Sequence, residues 1–315
     1  MRLKLLTLFV SALLSAGCFA PETPKIPAWV EHPPAPTATE LYGVSVADTF
    51  NEAFVSATGN IASTMLLAAE ASLEKQTRDE NLRKKSAAAM KAVLQEIDYP
   101  GVELKERASM GEQSAVLIRM PRRAFSAQIS SRLQAHKKRV ENHLAAHAAD
   151  STFAHLGLLG SFHEEQPVLL AEIILLETAD PSADTTGYRA FMQKIEDDYN
   201  ALKFGASITI ISDANAIVYV DPLKKALISE GIAPSGSPVG TILLFGDSQK
   251  EHSGGRYSVK TRVRFESTVK GERIARKEHF LEAHSANGYE EARRQTADAL
   301  QKLIKKEGLF HTLGF

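Results

Sequence analysis

The chain has 315 residues, 44% hydrophobic and 24% charged, with a formal net charge of −1 and a single cysteine, Cys18. So even a balance excludes the strongly basic surface of a dedicated nucleic-acid binder, and one thiol excludes an intramolecular disulfide. The fold must therefore be held by its apolar core, and the length predicts about two domains.

At the amino end, Arg2 and Lys4 precede an apolar run from Leu5 to Leu14 and then the small residues Ser15, Ala16 and Gly17. This is the layout of a secretory signal peptide, and its apolar core is about half the ~20 residues that a membrane-spanning helix needs. Residues 1–17 are read as removed. Ser15-Ala16-Gly17-Cys18 resembles the lipobox of bacterial lipoproteins, which implies acylation of the Cys18 thiol, with palmitate among the acyl groups, and of the new amino terminus. Two or more chains give stable anchoring where one does not. Phe19 stands where such lipoproteins carry Asp when retained in the inner membrane, so the resemblance implies the outer membrane, with the periplasmic or surface face left open. Residues 18–40 then carry Pro21, Pro24, Pro27, Pro33, Pro34 and Pro36. They are predicted to form an extended, non-helical tether that reaches on the order of 60 Å at ~3.1 Å per residue.

Residues 41–135 read as a small α+β module. Leu41–Ala47 is a predicted strand, and Asp48 or Thr49 caps a helix from near Phe50. Along that helix Ala53, Ala57, Ile61, Thr64 and Ala68 mark a small, close-packing face. A second helix runs to Ile97 with Ala88, Lys91 and Gln95 in solvent, and two strands, Val102–Ala108 and Ser114–Met120, complete the module.

Four features in this order, Ile26-Pro27-Ala28-Trp29-Val30, the Leu41-Tyr42-Gly43-Val44 strand, the Ala-rich helix and Ala115–Arg122, resemble the twenty-kilodalton outer-membrane lipoprotein (Lpp-twenty) family over residues 26–135. The resemblance implies an envelope lipoprotein; some members are flagellar lipoproteins, and nothing in these residues separates those from the rest.

Residues 136–204 are predicted as a helical connector: one helix through about 149, then Phe153–Ala179 with a break near Gly157-Gly160 or Pro167, then Thr186–Leu202. From residue 205 to 315 the order is β-α-β-β-β-α. Strands fall near 206–211, 241–245, 256–269 and 273–283, and the last helix at Tyr289–Glu307. This layout resembles the amino-terminal domain of the periplasmic protein TolB. The fold class expected for the whole is α+β, two small modules with mixed or antiparallel sheets joined by helices.

In Tyr257–Glu266 apolar and polar residues alternate, which puts Lys260, Arg262 and Arg264 on one wet strand face. With Lys270, Arg273, Arg276 and Lys277 nearby they are candidates for attracting an anionic partner such as a peptidoglycan carboxylate, against the alternative of a solvated face. Trp29 is weighed in the same way, as a pin for the tether or as a contact for a partner. His143 and His147 lie one helical turn apart, with His155 and His163 following, but the glutamate of the helical zinc-protease motif is missing after His143 and no cysteine can join. Ser72-Leu-Glu-Lys75 has the spacing of penicillin-recognising enzymes without their other elements, and no nucleophile elbow, phosphate loop or dinucleotide fingerprint occurs. The reading is a non-enzymatic, lipid-tethered scaffold with no cofactor or metal. Its partners are the membrane, through the acyl chains, and proteins or copies of itself, and not nucleic acid. Peptidoglycan binding or enzyme regulation is the alternative.

Overall fold

The computed structural model describes residues 26–148, 150–234 and 238–315, and the account below concerns these. Cys18 and the leader lie outside them. The chain is α+β and divides into two compact units, one of residues 26–65 with 98–125 and the other of residues 66–97 with 126–315.

The first unit holds α1 (Ala28–Glu31), β1 (Glu40–Ala47), most of α2 (Phe50–Gln76), β2 (Glu103–Met110) and β3 (Gln113–Pro121). Its sheet has the order β1-β3-β2 and is antiparallel throughout. A reciprocal box starts α2: the Thr49 amide and hydroxyl donate to Glu52, whose own amide donates to Thr49 Oγ1 at 3.2 Å. The helix buries Ala53, Ala57, Ile61 and Met65, then Ala69 and Leu73, in unbroken steps of four. Thr64 and Ala68 were expected on this face and sit off it, because the buried ridge never takes the three-residue step. Helix and strand touch at Gly43, where the Ala57 carbonyl occupies the space of the missing side chain, and Asn60 Nδ2 donates to the Val44 carbonyl at 2.6 Å.

The expectation that residues 18–40 contain no helix fails at Ala28–Glu31. Pro27 takes the N-cap position with extended backbone, and the five proline-free residues before Pro33 leave room for one helical turn of four. This turn packs on β1 and β3, so the segment around Trp29 is part of the unit.

The second unit joins α3 (Glu80–Glu96), nearly all of α4 (Arg122–Ala146), α5 (Thr152–Glu164), α6 (Gln166–Ala179) and α7 (Thr186–Lys203) to a four-stranded sheet. The sheet order is β4 (Ile208–Ser212), β5 (Gly240–Ser253), β6 (Arg256–Val269), β7 (Glu272–Ser285), with β4 parallel to β5 and the rest antiparallel. A 3₁₀ turn and α8 (Val220–Ser229) link β4 to β5, and α9 (Tyr289–Glu307) and α10 (Leu309–Leu313) close the chain. The order β-α-β-β-β-α is as expected, with a further short helix at the end.

Two expectations change. The helices of 136–204 do not form a separate connector: Phe153, Leu156, Phe162, Ile195 and Tyr199 belong to the same apolar core as Ile208, Leu244, Phe265 and Leu300. Likewise α3 packs on α6 and belongs to this unit, outside the α+β module of 41–135. The helical break lies at Glu165-Gln166-Pro167, while Gly157 and Gly160 stay inside α5. Those glycines are needed for packing, since the Phe315 ring lies on Gly157 and the Phe310 ring on Gly160, where a Cβ would stand.

Candidate functional site

Gly254-Gly255 and Lys270-Gly271, all at positive φ, turn the chain between β5, β6 and β7. The resulting three strands each run 14 residues. One face buries Ile242, Leu244, Val259, Val263, Phe265 and Leu281. The alternate residues form the opposite face, and here the register brings together what the sequence separates. Lys260 stands between Gln249 and Glu282, Arg262 between Asp247 and Phe280, and Arg264 between Phe245 and Glu278.

All three sequence-predicted cations are thus side by side, and each meets a carboxylate. Lys260 Nζ lies 3.4 Å from Glu251 and 3.7 Å from Glu282, Arg262 lies 3.1 Å from Asp247, and Arg264 Nε lies 3.2 Å from Glu266. The Arg264 guanidinium also covers the Phe245 ring at 4.4 Å. Of the flanking cations, Arg273 and Arg276 pair with Glu266, and Arg276 also with Glu278 at 2.5 Å. Lys277 turns to the His311 carbonyl instead. On this face the β6 cations thus stand among carboxylates of both neighbouring strands, Asp247 and Glu251 on β5 and Glu278 and Glu282 on β7. In the middle of the face Phe280 is 81% exposed and helps to line a shallow groove with Asp247, Gln249, Lys260, Arg262 and Glu282. Sequence reading did not single out Phe280; its signal is a large apolar residue in the polar phase of an alternating strand.

The histidine pair takes a different course. His143 and His147 stack with ring centroids 5.8 Å apart, and His147 Nδ1 bonds Asp150 at 2.7 Å. His163 is half-buried against Tyr199, ring to ring at 4.9 Å, and its loss of solvent lowers its pKa from the usual imidazole value. Among the described residues no group of three or more metal-ligating side chains converges.

Beneath the helices lies a chain of titratable groups that sequence reading missed, since its members come from four separate segments. Glu172, with a side chain 4% exposed, accepts from Arg132 at 3.1 Å and lies 3.8 Å from His136 Nδ1. The His136 Nε2 bonds Glu165 at 2.9 Å; Arg139 donates to the same carboxylate, and His311 Nε2 lies 3.5 Å from it. Glu164 accepts from the amides of Phe310 and His311 and from His311 Nδ1, fastening α10. Burial alone would lower the His136 pKa, yet Glu165 and Glu172 outweigh it and hold it at about 9. His311 is likewise held at about 9 by its bonds to Glu164 and Glu165. Burial alone would raise Glu165, but His136, His311 and Arg139 keep it well below the usual carboxylate range. Both imidazoles are thus cations locked between carboxylates. They are suited to holding structure rather than to shuttling protons near neutrality.

No family model matches the sequence, and no curated protein matches it. Among solved structures, the secreted protein HP1454 of Helicobacter pylori is similar over 86% of this chain and 96% of its own, at 12% identity and a TM-score of 0.43. A minor lipoprotein of Acinetobacter baumannii is similar over 33% of this chain and 91% of its own, at 16% identity and a TM-score of 0.26. Neither likeness bears on the function. No helix among the described residues is long and apolar enough to cross a membrane.

Proposed function

We propose that the protein is a non-enzymatic lipoprotein of the cell envelope, of the Lpp-twenty type, anchored in the outer membrane through acyl chains on Cys18 and acting as an interaction scaffold. The observation that carries the scaffold reading is the open face of the four-stranded sheet, where paired charges surround an exposed Phe280. Exposed aromatics with flanking Arg are the usual anchors of protein interfaces. The anchor is supported by Ser15-Ala16-Gly17-Cys18 behind an apolar leader. Trp29 serves to dock its segment onto the first unit, in keeping with the packing of α1 on β1 and β3.

Peptidoglycan binding through Lys260, Arg262 and Arg264 is disfavoured, because the carboxylates of Glu251, Glu282, Asp247 and Glu266 beside them would repel an anionic polymer. A direct experiment separates the two. The full chain is mixed with purified sacculi and sedimented, with wild type beside Arg262→Glu. The scaffold reading expects the two to remain equally in the supernatant. Retention of wild type and its loss in the variant would assign the face to glycan instead.

A further inference from the structure

We infer that the open sheet face docks a second copy of this chain, with β6 of one copy lying over β7 of the other. The inference rests on the scaffold reading and names its partner.

In the middle of the β6–β7 ladder the outward pairs are Lys260 with Glu282, Arg262 with Phe280, and Arg264 with Glu278, flanked by Ser258 with His284 and Glu266 with Arg276. Each of the three middle pairs joins a cation to an acid or to an aromatic ring. A two-fold axis parallel to the strands, midway between β6 and β7 and above the face, exchanges the two columns without changing height along the strands. It therefore sets Lys260 opposite Glu282 of the second copy, Arg262 opposite its Phe280 and Arg264 opposite its Glu278, and repeats each contact in reverse. An isologous interface requires such self-complementarity, since each residue must suit the image of another on the same patch.

Two packed sheets stand about 10 Å apart and within about 30° of parallel. Such a rotation displaces residues two positions from the centre by only about 3–4 Å, within reach of Lys, Arg and Glu side chains, while the Arg262–Phe280 pair stays at the pivot. Stacking Arg262 on the Phe280 ring of the other copy would desolvate a cation–π contact, the setting in which such contacts are strongest. β6 and β7, the two strands that this axis superposes, present roughly 450 Å² of face at ordinary strand spacing, a small interface beside the ~800 Å² per partner of a standard one, which fits a dimer that forms at micromolar concentration. A face that carries both signs, basic on β6 and acidic at Glu278 and Glu282 on β7, also fits a second copy better than a uniformly charged ligand, because like charges would meet in any one-signed partner.

Charge reversal with rescue tests this. The full-length acylated chain is measured in detergent, at an excess that puts fewer than one chain in each micelle, by light scattering after size exclusion. Wild type is expected to be dimeric at micromolar concentration. Lys260→Glu alone and Glu282→Lys alone set like charges across the two-fold and should each weaken the dimer about tenfold or more. Mixing these two variants restores both contacts, so a heterodimer should return near wild-type affinity; that rescue separates a broken interface from a damaged fold. A monomeric wild type at 100 μM, or a dimer indifferent to either reversal, would overturn the proposal. A photo-crosslinking residue at position 280 in cells gives the second readout. A product of twice the chain mass, containing only this protein, is expected. A product with a different protein would overturn the second-copy inference while leaving the scaffold reading intact, and absence of any product would remove both.

Discussion

Replacing Gly43 by alanine is expected to destabilise the first unit by about 3 kcal/mol or more, at the upper end of what overpacking produces. An added Cβ would fall on the Ala57 carbonyl oxygen, with the carbonyl carbon 2.9 Å away and Ile61 Cγ1 at 3.1 Å. The obstacle is helix backbone, which no rotamer change removes. Nor is α2 free to retreat, because Asn60 ties it to the Val44 carbonyl and the strand is fixed by its ladder to β3. Gly59 provides the control: it lies in the same helix with open space around it, so Gly59→Ala should stabilise by about 0.5–1 kcal/mol through helix propensity. Trp29 is the only tryptophan and lies in the first unit, so its fluorescence during urea unfolding reports on that unit. Equal midpoints for the two variants would refute the packing described at Gly43.

The second large effect lies in the His–Glu chain of the second unit. Glu165→Gln removes the charge that His136, Arg139 and His311 share. The loss should be on the order of 2–4 kcal/mol, the lower range for breaking a buried ion pair, since the side chain keeps some solvent contact. A distinctive pH dependence accompanies it. His136 and His311 have folded-state values raised from 6.5 to about 9; their stabilisation is complete below pH 6.5 and lost as pH rises through about 9. For Glu165, lowered from 4.5, stabilisation is present above about pH 4.5 and lost as pH falls through its folded value. The network should therefore be intact between about pH 4.5 and 6.5, and the melting temperature of the second unit should fall between pH 6.5 and 10. In Glu165→Gln that fall should be much shallower, because the two imidazoles lose their common partner. Calorimetric scans at pH 6, 8 and 10 decide it; parallel profiles for wild type and variant would show that the network does not set the pH response.

Much of this architecture is legible in the sequence because it is local. Tyr257–Glu266 alternates so regularly that strand and wet face follow at once, and Gly308 stops α9 where its period ends. What was not legible depends on register and on distant segments. Counting back from the Lys270-Gly271 turn without interruption places Leu281 opposite Lys260. A bulge between Ser267 and Thr268 shifts the ladder by one residue and brings Glu282 there instead, so the acidic partners of the basic column could not be read from the turn alone. The length of β5 was missed for another reason: its far half, Gln249–Ser253, is polar and exposed, and only the Gly254-Gly255 turn announces it. The His136–Glu165–His311 chain spans residues far apart in sequence, and neither periodicity nor motif spacing links them. Gly157 and Gly160, which look like breakers, are sites where Phe315 and Phe310 approach the helix backbone, and the cause lies at the far end of the chain.

The proposed lipid anchor at Cys18 would hold the protein in the outer membrane. It is tested most directly by expressing the full chain with an alkyne-tagged fatty acid and comparing wild type with Cys18→Ala in separated membrane fractions. Label and outer-membrane location are expected in wild type, and the loss of both in the variant. Unlabelled wild type, or a variant that fractionates like wild type, would contradict it.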